Sequence, residues 1–247
     1  MKVLVVGIDG AVAQALVESL ISAGHSVMAT YGAESTRWEG ADLPQAAGLE
    51  FTQLDCGDPE DVHRFAGERG AFDAVVYANM HFEMEHRGRF DLAQWNRSLA
   101  HNLTTPMQLL SGYPSLLNDG ASVVIVTSTE AFRGSFRAAA YAATKAAVHN
   151  LVMTLANNLG TREIRANAVA PGWIGGVMDT DEVFEMSRSI TPLRRLGAPQ
   201  EVADVIEFLI STKSTFVSGS VITVDGGYTG VDSISKFEAD ATPEESE

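Results

Sequence analysis

The chain has 247 residues, with 32 acidic and 17 basic side chains and a formal net charge of −15. Hydrophobic residues make up 45%, which excludes a disordered or low-complexity chain and supplies enough apolar surface for one full core. The acid excess argues against DNA or RNA as a partner, although amides at a helix N-terminus can still hold a phosphate locally. The one cysteine, Cys56, excludes an intrachain disulfide and any cysteine-rich metal site, so no metal is expected. Together with the lack of a signal-peptide-like N-terminus or an apolar run long enough to span a membrane, it points to a cytoplasmic protein with no membrane contact.

In chain order, Val3–Val6 reads as a buried strand closed by Gly7. Val12, Leu16, Leu20 and Ile21 recur at helical spacing up to Gly24. Strands are predicted at 26–30, 50–54, 74–77, 122–127, 164–169 and 221–224. Between them, helices are predicted from about Asp58, then over 91–117, 138–159 and 199–210. Strands alternating with helices imply an α/β fold, a doubly wound parallel sheet in three α/β/α layers. Residues 1–235 read as one dinucleotide-binding domain, and 236–247 as a solvated, mobile acidic tail.

Two features carry chemistry. Gly7-Ile8-Asp9-Gly10-Ala11-Val12-Ala13 follows the first strand and opens a helix. Glycines there let the backbone turn tightly and approach a pyrophosphate seated on the helix N-terminus. The second predicted strand ends in Ala29-Thr30-Tyr31-Gly32 without the acid that would take the ribose hydroxyls of NAD, which favours NADP(H) over NAD(H). Asp9 in the turn opposes that choice; Arg37 is a candidate for the extra phosphate, though a solvated arginine is the plainer reading. The second feature is Tyr141 and Lys145, one helical turn apart on one face of an alanine-rich segment. A lysine beside a tyrosine favours the phenolate, so the Tyr141 pKa is expected to fall, suiting it to general acid/base work. Ser128 ends the fifth strand, where an open α/β sheet faces its ligand crevice.

These segments, taken in order, resemble the short-chain dehydrogenase/reductase family over roughly residues 2–230. The resemblance rests on Thr127-Ser128, Tyr141-Ala-Ala-Thr-Lys145, Arg165-Ala-Asn167-Ala-Val-Ala-Pro171-Gly172, Pro192-Leu-Arg-Arg-Leu-Gly197 and Val224-Asp225-Gly226-Gly227. Trp95 and Ala100-His-Asn102-Leu match the family's central helix. Around Pro171 and Val224 the chain is similar to 3-oxoacyl-carrier-protein reductases, a pattern other members share. The resemblance implies a Rossmann-type fold and a catalytic tetrad of Asn102, Ser128, Tyr141 and Lys145. In that tetrad Tyr141 is the acid/base, Ser128 orients the carbonyl or hydroxyl, Lys145 lowers the tyrosine pKa and binds the nicotinamide ribose, and Asn102 holds a water. It implies cofactor contacts at Gly7, Asp9, Gly10, Ala11, Val12, Thr30, Tyr31, Asp55, Cys56, Ala78, Asn79, Tyr141, Lys145, Pro171, Gly172 and Ile174.

Residues 173–191 are expected to cover the site, with Thr129, Trp173, Met178 and Phe184 as substrate contacts beside Met186. The segment Met80–Met84 is a second candidate wall, with His81 read as a loop histidine rather than a second base. The expected substrate is a small carbonyl or alcohol, and the resemblance of the two long helices to those through which the family assembles implies a homotetramer, with a dimer as the alternative. Three departures bear on the cofactor. The glycine turn is one residue short, Met80 stands where the family has a glycine, and Gly176 stands near the family's threonine after Pro-Gly. They motivate a competing reading as a catalytically silent dinucleotide-binding or regulatory protein. Lys145 and the paired glycines speak against a third reading, cofactor-free dehalogenase chemistry.

Overall fold

The computed structural model describes residues 1–32, 46–86, 89–112, 114–176 and 179–241. Seven strands form one parallel sheet: β1 (Lys2–Val6), β2 (Ser26–Tyr31), β3 (Leu49–Gln53), β4 (Phe72–Tyr77), β5 (Leu117–Val126), β6 (Arg165–Pro171) and β7 (Val221–Val224). Their order is β3-β2-β1-β4-β5-β6-β7. Every pairing is parallel, with Val6 opposite both Thr30 and Tyr77 at the carboxyl end of β1. Chain direction across the sheet reverses between β1 and β4, and in such sheets ligands bind outside the carboxyl ends at that switch point.

The strand sequences explain the three layers. Successive residues of a strand face opposite sides, so a strand buried on both sides must be apolar throughout. Leu4 and Val6 face one cluster with Val75, Tyr77, Val123, Ile125 and the α5 residues Val148, Val152 and Leu155, where α5 is Ala139–Leu159. Val3 and Val5 face the other, with Leu16 and Leu20 of α1 (Ala11–Ser22) and Val202, Ile206 and Leu209 of the helix over Pro199–Ile210. The first layer also holds α2 (Pro59–Glu68), whose start is fixed by Asp58 accepting from the Glu60 amide and by a proline at its first turn.

Four expectations are corrected or extended. The helix predicted over 91–117 is instead α3 (Leu92–Leu99), a π-helical segment (Ala100–Thr104) and α4 (Thr105–Gly112). Pro106 has no N–H to offer the Asn102 carbonyl four residues earlier, so a regular helix cannot continue through this point. β5 begins at Leu117 rather than 122, and its pairing with β4 shifts register between Phe72 and Ala74, where Asn118–Gly120 bulge out exposed. The cover over 173–191 contains a helix, α6 (Asp181–Ile190), opened by Thr180 accepting from Val183 N; Pro199–Ile210 is then α7. Within the expected acidic tail, residues 236–241 belong to α8 (Ser233–Ala241), while 242–247 lie outside the described residues. Asp232 caps that helix by accepting from the Ile234 and Ser235 amides, which is why it forms despite its polar composition.

Leu155 on α5 is 1% exposed and packs under the sheet. Leu155→Ala is expected to cost about 2–5 kcal/mol, read as a lowered urea midpoint with an unchanged slope.

Candidate active site

The site is built on the carboxyl ends of β1, β4, β5 and β6. The chain after β1 turns through Gly7 at φ +90°, a backbone conformation glycine adopts without strain. Its amide donates to Thr30 Oγ1 at 3.1 Å, locking the turn to the end of β2. A Cβ on Gly7 would lie 2.5 Å from Asn79 Cα, so glycine also lets the segment after β4 close on the turn. Gly10 then starts α1 in extended conformation with no side-chain cap and no acid in the first turn. The first amides of α1 therefore have no side-chain partner at the cap, and the partial positive charge of that helix end faces the crevice. Gly176, at φ +96°, approaches Ala11 from the segment after β6.

Asn79 continues the wall, its Nδ2 lying 3.3 Å from His101 Nδ1. Tyr77, wholly buried, donates to the His101 carbonyl at 2.5 Å, while Cys56 is buried, its thiol pushed up to about 12 by loss of solvent. Asp55 accepts from Gly57 N and its own amide donates to Asp61, holding the turn after β3. Pro171 pairs with Val224, and Gly172 must lack a side chain because Asp225 Cβ would lie 2.6 Å from it. Ile174 bridges to Gly197 and packs on the α1 and α7 layer.

Tyr141 and Lys145 rise from the first turns of α5, both buried. Lys145 Nζ donates to the Val126 carbonyl at 2.9 Å, and Thr127 Oγ1 donates to the Lys145 carbonyl at 2.9 Å. These two bonds tie α5 to the end of β5. Ser128 follows in extended conformation, with Oγ accepting from Glu130 N and lying near enough to the Tyr141 hydroxyl to lower its pKa. Thr129, next in line, is buried. Asn102, in the π-helical segment, grips the backbone of residue 81: its Oδ1 accepts from His81 N at 2.8 Å, and its Nδ2 donates to His81 O and to Thr144 Oγ1.

The expected fall of the tyrosine pKa is not what the structure shows. Burial pushes the Tyr141 hydroxyl up, and the nearby Ser128 hydroxyl only partly offsets this. The ammonium lies 5.6 Å from the Tyr141 ring centre, bonded to a carbonyl rather than to the phenol. Burial pushes Lys145 itself down to about 7, so its charge is partly lost to desolvation.

The structure brings the four tetrad residues together with the Met80–Met84 segment. The Tyr141 hydroxyl points at Met80 Sδ, 3.8 Å away, and Phe82 meets the Tyr141 ring edge-on at 5.2 Å between centres. His81 turns elsewhere, its ring beside His101 and its Nε2 3.3 Å from Glu83. Of the expected substrate contacts, Trp173 lines a cavity of about 280 Å³ with Ile174, Leu193 and Asp225. Phe184 is exposed on α6, and Met178 and Arg37 lie outside the described residues. Thr127, Thr144 and the Val126 carbonyl were not singled out in the sequence. Their signal was adjacency to Ser128 and Lys145, and a backbone carbonyl carries no signal at all.

A nicotinamide dinucleotide fits these residues. The uncapped start of α1 and the glycine cradle suit a pyrophosphate, and a buried lysine bonded to a carbonyl suits ribose hydroxyls. Gly7, Gly10 and Ala11 would hold the phosphates, with Ala78, Asn79 and Lys145 along the riboses and Pro171 and Gly172 beside the nicotinamide.

A parallel doubly wound sheet with a Ser–Tyr–Lys cluster at its switch-point end defines a class of dinucleotide-fold oxidoreductases. A family profile described as Enoyl-(Acyl carrier protein) reductase matches residues 7–229. The short-chain dehydrogenase/reductase ABA4 of Pyricularia oryzae is 37% identical over 145 residues, 55% of this chain and 53% of that protein. The 3-oxoacyl-acyl-carrier-protein reductase FabG of Chlamydia muridarum is 30% identical over 175 residues, 67% of this chain and 69% of that protein. The structure of a short chain dehydrogenase family protein from Francisella tularensis superposes with a TM-score of 0.84 at 25% identity, covering 93% of this chain and 99% of that one. The chain belongs to the short-chain dehydrogenase/reductase family. With the first of these relatives the match spans about half of the relative's length.

The buried lysine gives a pH signature. The unfolded chain binds a proton at Lys145 up to about pH 10.5, the folded chain only up to about 7, so unfolding takes up a proton across that window. Stability measured without nucleotide is therefore expected to rise from pH 7 towards 9, below the ordinary value of the Cys56 thiol. Lys145→Met should flatten that rise in urea titrations.

Proposed function

We propose that the chain interconverts a ketone and a secondary alcohol with NADP(H), preferred over NAD(H), and that Tyr141 moves the proton. The observation that carries this reading is the buried Tyr141 hydroxyl beside Ser128, one turn from Lys145. When bound, the nicotinamide supplies or accepts the hydride.

The residues then divide the remaining work. In this reading Ser128 Oγ and the Tyr141 hydroxyl together hold a carbonyl oxygen. Tyr141 donates its proton to that oxygen in reduction and takes one back in oxidation. Burial keeps the phenol protonated, so the proton is in place for reduction. Lys145, drawn towards neutrality by burial and anchored on the Val126 carbonyl, sits one helical turn from the tyrosine. Asn102 acts by position, fixing His81 and with it the Met80–Phe82 wall. Met80 and Phe82 put apolar surface beside the Tyr141 hydroxyl and ring, which suits a hydrophobic ketone.

The cofactor choice turns on the end of β2. Thr30 is spent on Gly7, and Thr30, Tyr31 and Gly32 offer no acid to a ribose. Asp9 is the opposing group, because its Oδ2 accepts from Gly32 N at 3.3 Å and so brings a carboxylate to that place. A homotetramer is part of the same reading, supported by Met107 on α4 and Met153 on α5, each about half exposed on the helices expected to pair. Sedimentation at working concentration tests it.

Tyr141→Phe should lower kcat by at least about 100-fold while leaving NADPH binding within a factor of two or so. Substantial activity in that variant would remove Tyr141 from the proton step. In fluorescence titrations NADPH should bind more tightly than NADH. Asp9→Asn should widen that preference by roughly tenfold, the effect of about 1.4 kcal/mol of relieved repulsion. Tighter NADH binding would reverse the cofactor assignment, and binding of neither cofactor would overturn the enzymatic reading.

A further inference from the structure

A basic bowl lies beside the site and the reaction just described does not use it. Arg133, Arg188, Arg194 and Lys236 line a cavity of about 660 Å³ together with Tyr228 and Phe237. In a chain whose acids outnumber its bases by 32 to 17, its lining holds four cations and no acid among the described residues. Gathering like charges costs free energy unless something offsets it.

At the arginines the neighbouring carboxylates do little to offset it. Asp225 lies near Arg133, but its oxygens already accept from the Gly227 amide and from the Thr229 amide and hydroxyl, at 2.7–2.9 Å. Glu185 meets Arg188 only in an exposed pair, of a kind worth little in water. Arg133 instead lies over the Tyr228 ring, 4.8 Å from its centre, which orients the guanidinium without neutralising it. Arg194 makes no ion pair among the described residues. Its backbone is left-handed, at φ +57°, held by its own amide donating to Thr191 O and by Leu193 N donating to Gly226 O. Arginine gains nothing from that conformation, and such strain persists where surrounding structure imposes it.

The bowl is joined to the reaction site by close contacts. A Cβ on Gly226 or Gly227 would meet Thr191 and Pro192 at 2.8 and 3.0 Å, and one on Gly172 would meet Asp225 at 2.6 Å. Arg133 follows the short turn Thr129–Phe132 that leaves Ser128. The volume is that of a small-molecule site. Guanidinium groups match carboxylate and phosphate oxygens in pairs, and Tyr228 and Phe237 offer ring faces to an apolar body.

We propose that this bowl binds a small organic anion, a carboxylate or phosphate carried on an aromatic or apolar body, with Arg133 and Arg194 as its principal anion contacts. The anion is either the remote end of the substrate or a separate molecule. Only the first assignment rests on the oxidoreductase reading.

Calorimetric titration of phenyl phosphate into the full chain, with phenol as the neutral control, tests the site without turnover. Phenyl phosphate should bind and phenol should not at matched concentration. The Arg133→Gln/Arg194→Gln variant should raise the dissociation constant about tenfold or more. Both arginines are exposed, so the variant's melting temperature should stay near that of the parent, and Lys213→Gln, on a distant exposed turn, should leave binding unchanged. Equal binding of phenol, or binding indifferent to the double variant, overturns the proposal. Kinetics with NADPH then separates the sources. A lower KM for 4-acetylbenzoate than for its methyl ester, with competition by phenyl phosphate, assigns the anion to the substrate. Binding without competition assigns it to a separate ligand. A chain that binds phenyl phosphate through the two arginines but reduces no ketone keeps the site and overturns only the oxidoreductase reading.

Discussion

The structure depends on one buried ammonium. Lys145 sits wholly inside the protein, and its charge is held by the Val126 carbonyl alone among the bonds described. A buried lysine is costly, and here burial has drawn its pKa most of the way to neutrality. The same contact fixes α5 against the end of β5, and Thr127 closes the reverse bond to the lysine carbonyl. The position of Tyr141 over Ser128 follows from that clamp, because both lie within one turn or one residue of it.

The second constraint is the break in the central helix. Pro106 cannot donate to the Asn102 carbonyl, and the helix widens into a π-helical turn there. That widening points Asn102 inward, where its amide holds the backbone of His81 from both sides. The loop so fixed carries Met80 and Phe82 to the Tyr141 hydroxyl and ring. A residue remote from the chemistry thus shapes the wall of the site. The methionine that departs from the family's glycine lies against the Tyr141 hydroxyl, which gives that departure a physical place.

Charge is distributed to match. The folded body is acidic overall, yet four cations line the bowl beyond the Asp225–Gly227 turn, and Lys145 is buried at the end of β5. An acidic exterior keeps polyanions away, while local cations and the open start of α1 attract small anions.

By itself the sequence determined the layered α/β architecture, because an apolar run such as Val3–Val6 between helical periodicities can only be a strand covered on both faces. It also placed Tyr141 and Lys145 on one helix face and Gly7 and Gly10 at one strand-to-helix corner, because those spacings are set by local geometry. Helix periodicity did not reveal the π-helical break, which arises from the bond Pro106 withholds inside the helix, or the early start and shifted register of β5, which arise from its pairing with β4 across the sheet. Nor did proximity in sequence reveal the direction of the pKa shifts. That two neighbouring residues favour the phenolate is true in water; inside the protein, desolvation outweighs the neighbour, and only the fold decides how deeply each group is buried. The arginine bowl is likewise a product of tertiary structure, because Arg133, Arg194 and Lys236 lie far apart in the chain and meet only where the segments after β5, β6 and β7 converge.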